Sequence, residues 1–133
     1  MAPARKVYIR FVCYQQVESQ RQKLGLFQAL DLARECDVAP SWALKELGEI
    51  YDWFRTNLAV PGRFSRGGWK GRGQPGLSWF KPVAAEHIRQ MHRLKLAVEA
   101  CGVHVDILTT RDPGEIIWQD NSQLVAEPGA RKF

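Results

Sequence analysis

The chain has 133 residues, 45% hydrophobic and 25% charged, with a formal charge of +5. That length suits a single domain, residues 1–133, with a core of its own, and the ordinary composition excludes a disordered or fibrous chain. No run reaches the roughly 20 apolar residues of a membrane span, and the opening MAPARKVYIRF holds no apolar stretch fit for a signal peptide, so the expectation is a soluble, cytoplasmic protein with no membrane partner.

In chain order, Val7–Tyr14 (VYIRFVCY) alternates β-branched and aromatic residues and predicts an interior strand. Arg10 is the anomaly on it: either a snorkelling side chain or a cleft residue that meets a ligand. The polar run Gln15–Lys23 predicts a connector, and Leu24–Cys36 a helix. Ser41–Leu58 is the clearest helix, with an apolar arc of Ala43, Leu44, Leu47, Ile50, Tyr51, Phe54 and Leu58. Pro40 opens it, with Asp37 or Ala39 as the capping residue. Trp42, Trp53, Glu46 and Glu49 share a flank, as helix packing or as a ligand or partner surface.

The stretch Ala59–Lys81, AVPGRFSRGGWKGRGQPGLSWFK, carries Arg63, Arg66, Lys70, Arg72 and Lys81 and no acidic residue. Its glycines and lack of periodicity predict a long loop. The 19 basic residues exceed the 14 acidic ones by five, a surplus equal to the five cations of this stretch. GGWKGRG matches a phosphate loop in composition only, because a Walker A loop requires G-x-x-x-x-G-K-[ST] between strand and helix.

Pro82–Ala100 predicts a further helix with Val83, Ala84, Ile88, Met91, Leu94 and Val98 inward, His87 within the apolar arc, Arg89 and Arg93 opposite, and Gly102 as its stop. Strands follow at Val103–Thr109, Glu115–Gln119 and Gln123–Glu127. Asp112–Gly114 and Asp120–Ser122 are the turns between them, and residues 128–133 form a flexible tail. The fold class is therefore α/β in the α+β sense, β-α-α-loop-α-β-β-β: a mixed four-stranded sheet packed by about three helices.

No motif implies a cofactor. His87 and His92 are five apart and diverge on a helix. His104 and Asp106 share a strand face, and two ligands make a poor metal site, so no metal is expected. Cys13, Cys36 and Cys101 lack CxxC spacing and read as buried thiols. The weak catalytic candidates are His87, Arg10 and Tyr14, with His87 as acid or base on an anionic substrate.

Polyanion binding has the most residues behind it. Arginine forks suit phosphate, glycines let a backbone approach an anion, and Trp69 and Trp79 are candidate stacking residues for bases. Arg89 and Arg93 would extend the positive surface. Nucleic acid is the expected partner. The alternatives are an acidic protein partner held by the same loop, the small enzyme just named, and self-association through the C-terminal hairpin.

Overall fold

The computed structural model describes residues 6–17, 20–26, 30, 39–61 and 76–128, and of these the side chains of 15–17 and 20–25 are left undescribed. The protein is a small α+β fold. Its described elements are β1 (Tyr8–Val17), β2 (Gln20–Gly25), α1 (Ser41–Asn57), β3 (Leu77–Phe80), α2 (Ala85–Ala100), β4 (Val105–Thr110), β5 (Glu115–Gln119) and β6 (Gln123–Glu127). The chain divides into two compact units. The first comprises Met1–Arg10, Ala59–Ala85 and Leu108–Phe133; the second comprises Phe11–Leu58 and Glu86–Ile107.

In the first unit β3 is central. It pairs antiparallel with β1 through Ile9–Phe80 and with β6 from Leu77–Ala126 to Phe80–Gln123. β6 pairs antiparallel with β5, with a bulge between Ile116 and Trp118. Trp79, Leu124 and Ala126 form a buried cluster, joined by the partly buried Tyr8, Leu77 and Leu108. The β5–β6 turn follows from Asp120, whose carboxylate accepts the N–H groups of Ser122 at 2.8 Å and Gln123 at 2.9 Å. The turn before β5 is set by Asp112 and Gly114. Gly114 lies at φ 107°, and a Cβ there would strike the Glu127 carbonyl.

In the second unit the remainder of β1 pairs antiparallel with β2, from Val12–Gly25 to Val17–Gln20. Phe11, Val12 and Cys13 are buried, as an interior strand requires. α1 buries Ala43, Leu47, Ile50 and Phe54, one stripe at spacings of three and four. Each large apolar side chain on that stripe contributes about 1.5–3 kcal/mol by leaving water. α2 runs antiparallel to α1, since His87 meets the end of α1 while Arg93 meets Glu46 near its start. α2 stops at Gly102, φ 92°, where Gly102 N–H donates to Glu99 O and Val103 N–H to Val98 O. Those bonds satisfy the Val98 and Glu99 carbonyls, and Gly102, the second residue past the helix, takes the left-handed turn.

Several expectations are corrected. The sheet has more than four strands: five are joined by registered pairings, all antiparallel, and β4 pairs with β1 in addition. The polar run Gln15–Lys23, expected as a connector, supplies the end of β1 and most of β2. A ladder is held by backbone bonds, which polar residues form as well as apolar ones. Leu24 belongs to β2 rather than to the start of a helix. Of the predicted helix Leu24–Cys36, Leu26 and Leu30 are helical and buried, and most of the rest lies outside the described residues. Two helices are described in full where about three were expected. The α1 N-cap is Pro40, whose carbonyl accepts from Ala43 and Leu44. Leu44 and Tyr51 border the buried arc at about 40% exposure, and Val83 is exposed in the turn before α2. Of the expected tail, Pro128 is buried and residues 129–133 lie outside the described residues.

Candidate functional site

The basic stretch is anchored at both margins within the first unit. At its start, the Gln123 side chain donates from Nε2 to the Ala59 carbonyl at 2.6 Å. At its end, Lys81 N–H donates to Ser122 O at 2.8 Å. Between them β3 runs along β6 from Ala126 back to Gln123. Arg63, Arg66, Lys70, Arg72 and Trp69 lie outside the described residues.

Lys81 and Trp79 are described, and they differ. Lys81 donates from Nζ to the Gln119 side-chain oxygen at 2.8 Å. Its partner is a neutral amide, so the ammonium charge is oriented without being cancelled. Trp79 does not have the geometry expected of a stacking residue. It is 1% exposed, in the cluster with Leu124 and Ala126. A base stacks only on an open indole face. β3 turns this residue inward because its neighbours across β6 are apolar.

Arg10 lies in the same unit. Its Nη1 donates to the Ser78 carbonyl at 3.1 Å. Its Nε is closed off from solvent and has no hydrogen-bond partner among the described residues. Burial lowers its pKa from the ordinary guanidinium value, since low-dielectric surroundings disfavour the charged form.

His87 and Tyr14 belong to the second unit. The Nε2 of His87 lies 2.8 Å from the Asn57 carbonyl. A carbonyl only accepts, so the Nε2 proton donates there. The ring meets Trp53 edge-on at 5.0 Å and Phe54 at 6.3 Å. This is a histidine that caps the last turn of α1, where carbonyls lack intrahelical donors. Trp53 is thereby placed in helix packing, while Trp42 stays 54% exposed. Tyr14 is half-buried on β1. Cys13 and Cys101 are buried thiols, and burial raises the Cys13 pKa, which makes it a poorer nucleophile.

The arginines expected to widen the positive surface are engaged with carboxylates. Arg93 reaches Glu46 Oε2 from Nε at 3.1 Å and from Nη2 at 2.8 Å, Gln90 from Nη1 at 2.8 Å, and Glu49 at 3.7 Å. Arg89 lies 3.4 Å from Glu86. α2 therefore presents charge pairs rather than a basic stripe. His104 bonds Asp106 Oδ1 through Nε2 at 2.8 Å, and its Nδ1 lies 3.7 Å from Glu99. Among the described residues no group of three or more His, Cys, Asp or Glu is placed to hold a metal. No described helix is long and apolar enough to cross a membrane.

Sequence reasoning missed Gln123 and Gln119. Gln123 is 4% exposed. A glutamine just after a turn reads as surface, and no pattern in the chain announces that it reaches Ala59. Comparison with protein families, with curated proteins and with solved structures finds no match.

Proposed function

We propose that the protein binds a polyanion, nucleic acid, through the basic stretch 59–81. The observation that carries this is the charge pattern: Arg63, Arg66, Lys70, Arg72 and Lys81 with no acid, set among glycines and Trp69. Arg66, Lys70 and Arg72 contact phosphates in this reading, and Trp69 stacks on a base. With Trp79 buried, Trp69 alone keeps the stacking role. Support also comes from Lys81, whose ammonium bonds the neutral amide of Gln119. The bonds from Gln123 to Ala59 and from Lys81 to Ser122 tie both margins of the stretch to one hairpin, β5–β6.

Tryptophan emission, titrated with short DNA and RNA oligonucleotides at two salt concentrations, tests this. The intact protein should bind with an affinity that falls log-linearly with salt, because each neutralised phosphate releases a counterion. The triple variant Arg66→Ala, Lys70→Ala, Arg72→Ala should lose most of the affinity and flatten the slope. Equal, negligible binding by both proteins at low salt would overturn the reading and leave an acidic protein face as the partner of this stretch.

A further inference from the structure

The chain carries five tryptophans, and the described ones differ sharply in their surroundings. Trp79 is in the core at 1% exposure. Trp53 has ring contacts with Phe54 and His87. Trp42 is exposed on α1 of the second unit, on the flank of Glu46 and Glu49, where carboxylates repel a polyanion. Trp118 is the remaining one. It is half-buried on β5, in the unit that holds both margins of the basic stretch. Among the described residues no hydrogen bond or ring contact engages its indole.

The register decides which way Trp118 points. Directly paired residues share a sheet face, and so do alternate residues of one strand. Trp118 pairs with Val125, and Gln123 lies two residues from Val125 on β6. Trp118 and Gln123 therefore share a face. On that face Gln123 holds the Ala59 carbonyl at 2.6 Å, so the basic stretch begins on the side where the indole stands. The bulge between Ile116 and Trp118 is the cause. Without its extra residue Trp118 would pair with Leu124, which is the partner of Trp79 and part of its buried cluster. A bulge that re-aims one side chain out of a core face is a device found beside binding sites.

We propose that Trp118 is a stacking platform for one nucleobase, in addition to Trp69. This rests on the polyanion reading and deepens it, since a base offers a π-face and other polyanions do not. β5 is the outer strand of the described sheet, so a ligand reaches the indole from the open edge. Glu115 pairs with Glu127 on the same face, beyond Trp118 from Gln123. Their carboxylates repel phosphates, so the bound strand runs from Trp118 toward Gln123 and Ala59.

The test compares wild type, Trp118→Ala and Trp118→Phe with a single-stranded oligonucleotide and with inorganic polyphosphate, which has no base. Trp118→Ala should lose about tenfold in oligonucleotide affinity, the loss of one stacked base. Its salt slope should stay that of wild type, because no phosphate contact is removed. Trp118→Phe should recover most of the loss, and all three proteins should bind polyphosphate alike. An oligonucleotide carrying 5-iodouracil should photo-cross-link to Trp118 of wild type, mapped by mass spectrometry, a readout that needs no variant to fold. Oligonucleotide affinity unchanged in Trp118→Ala, an equal loss of polyphosphate binding, or a cross-link map without Trp118 would overturn the proposal and leave the polyanion reading standing. No oligonucleotide binding by wild type at low salt overturns both.

Discussion

Gln123 Nε2 donates to the Ala59 carbonyl across 2.6 Å, and the glutamine is 4% exposed. A side chain at the first residue of β6 thus holds the backbone where α1 gives way to the basic stretch. Replacing Gln123 by Ala leaves that carbonyl without its donor and opens a small void. The expected loss is about 1–3 kcal/mol, read as a lower urea midpoint with an unchanged m-value. Gln123→Glu should be worse, because a buried carboxylate would face a carbonyl oxygen. A midpoint at the wild-type value for both variants would show that the bond holds nothing.

Gly48 and Gly114 should respond to alanine in opposite directions. Gly48 sits inside α1, and a Cβ there meets nothing within 4 Å. Gly48→Ala removes the entropic cost of a helical glycine and should stabilise by about 0.5–1 kcal/mol. Gly114 has φ 107°, and its Cβ would overlap the Glu127 backbone. Gly114→Ala should destabilise by about 2 kcal/mol or more, through the strained dihedral and the displaced strand end. Thermal unfolding of the two variants side by side checks both signs.

His87→Ala should cost about 1–2 kcal/mol. It removes the donor to Asn57 O and the edge-on contact with Trp53. The loss should appear as fraying of the last turn of α1, seen as faster amide exchange near Leu58, whose N–H bonds Phe54 O. Oligonucleotide affinity should be unchanged. A His87→Ala protein with full stability and altered ligand affinity would contradict the capping role.

The Lys95–Glu99 pair carries a pH signature. The Lys95 hydrogen bond, at 2.7 Å, is the largest influence holding the Glu99 pKa below the ordinary carboxylate value. The Val105 N–H and the charges of Lys95 and His104 act in the same direction, and burial acts against them. A depressed folded-state pKa contributes stability that is present above the unfolded carboxylate pKa and is lost as pH falls through the folded one. Lys95→Met should raise the Glu99 pKa toward its ordinary value and remove that part of the acid dependence. An NMR titration of the Glu99 carboxyl in both proteins reads it directly; an unmoved titration would show that Lys95 is not the cause.

Arg93 and Glu46 should be coupled in a double-mutant cycle by about 0.5–1 kcal/mol. Two N–H groups of Arg93 converge on one oxygen, Glu46 Oε2, and the pair is half-buried, which puts it in the upper part of the range for surface pairs. Arg89 and Glu86 are more exposed and 3.4 Å apart, and should show less.

Periodicity was enough for α1 and α2, because a buried helical face writes itself into the chain every three or four residues, as Ala43, Leu47, Ile50 and Phe54 do. Gly102 and Gly114 were legible as stops and turns, since few residues tolerate positive φ. Asp120 was legible as turn chemistry for the same local reason. β2 was not legible: its stability lies in backbone bonds to β1, and Gln20–Lys23 carry no alternation. The concentration of positive charge in 59–81 is a property of the sequence alone, and so is the candidate function drawn from it. Only tertiary structure decided which side chains that charge leaves available. Trp79 went into the core because β6 sets Leu124 beside it. Arg93 went to Glu46 because two helices pack antiparallel. Arg10 met the Ser78 carbonyl while Gln123 reached Ala59. Each is a contact between residues far apart in the chain, set by pairing register and packing, which no local window of sequence contains.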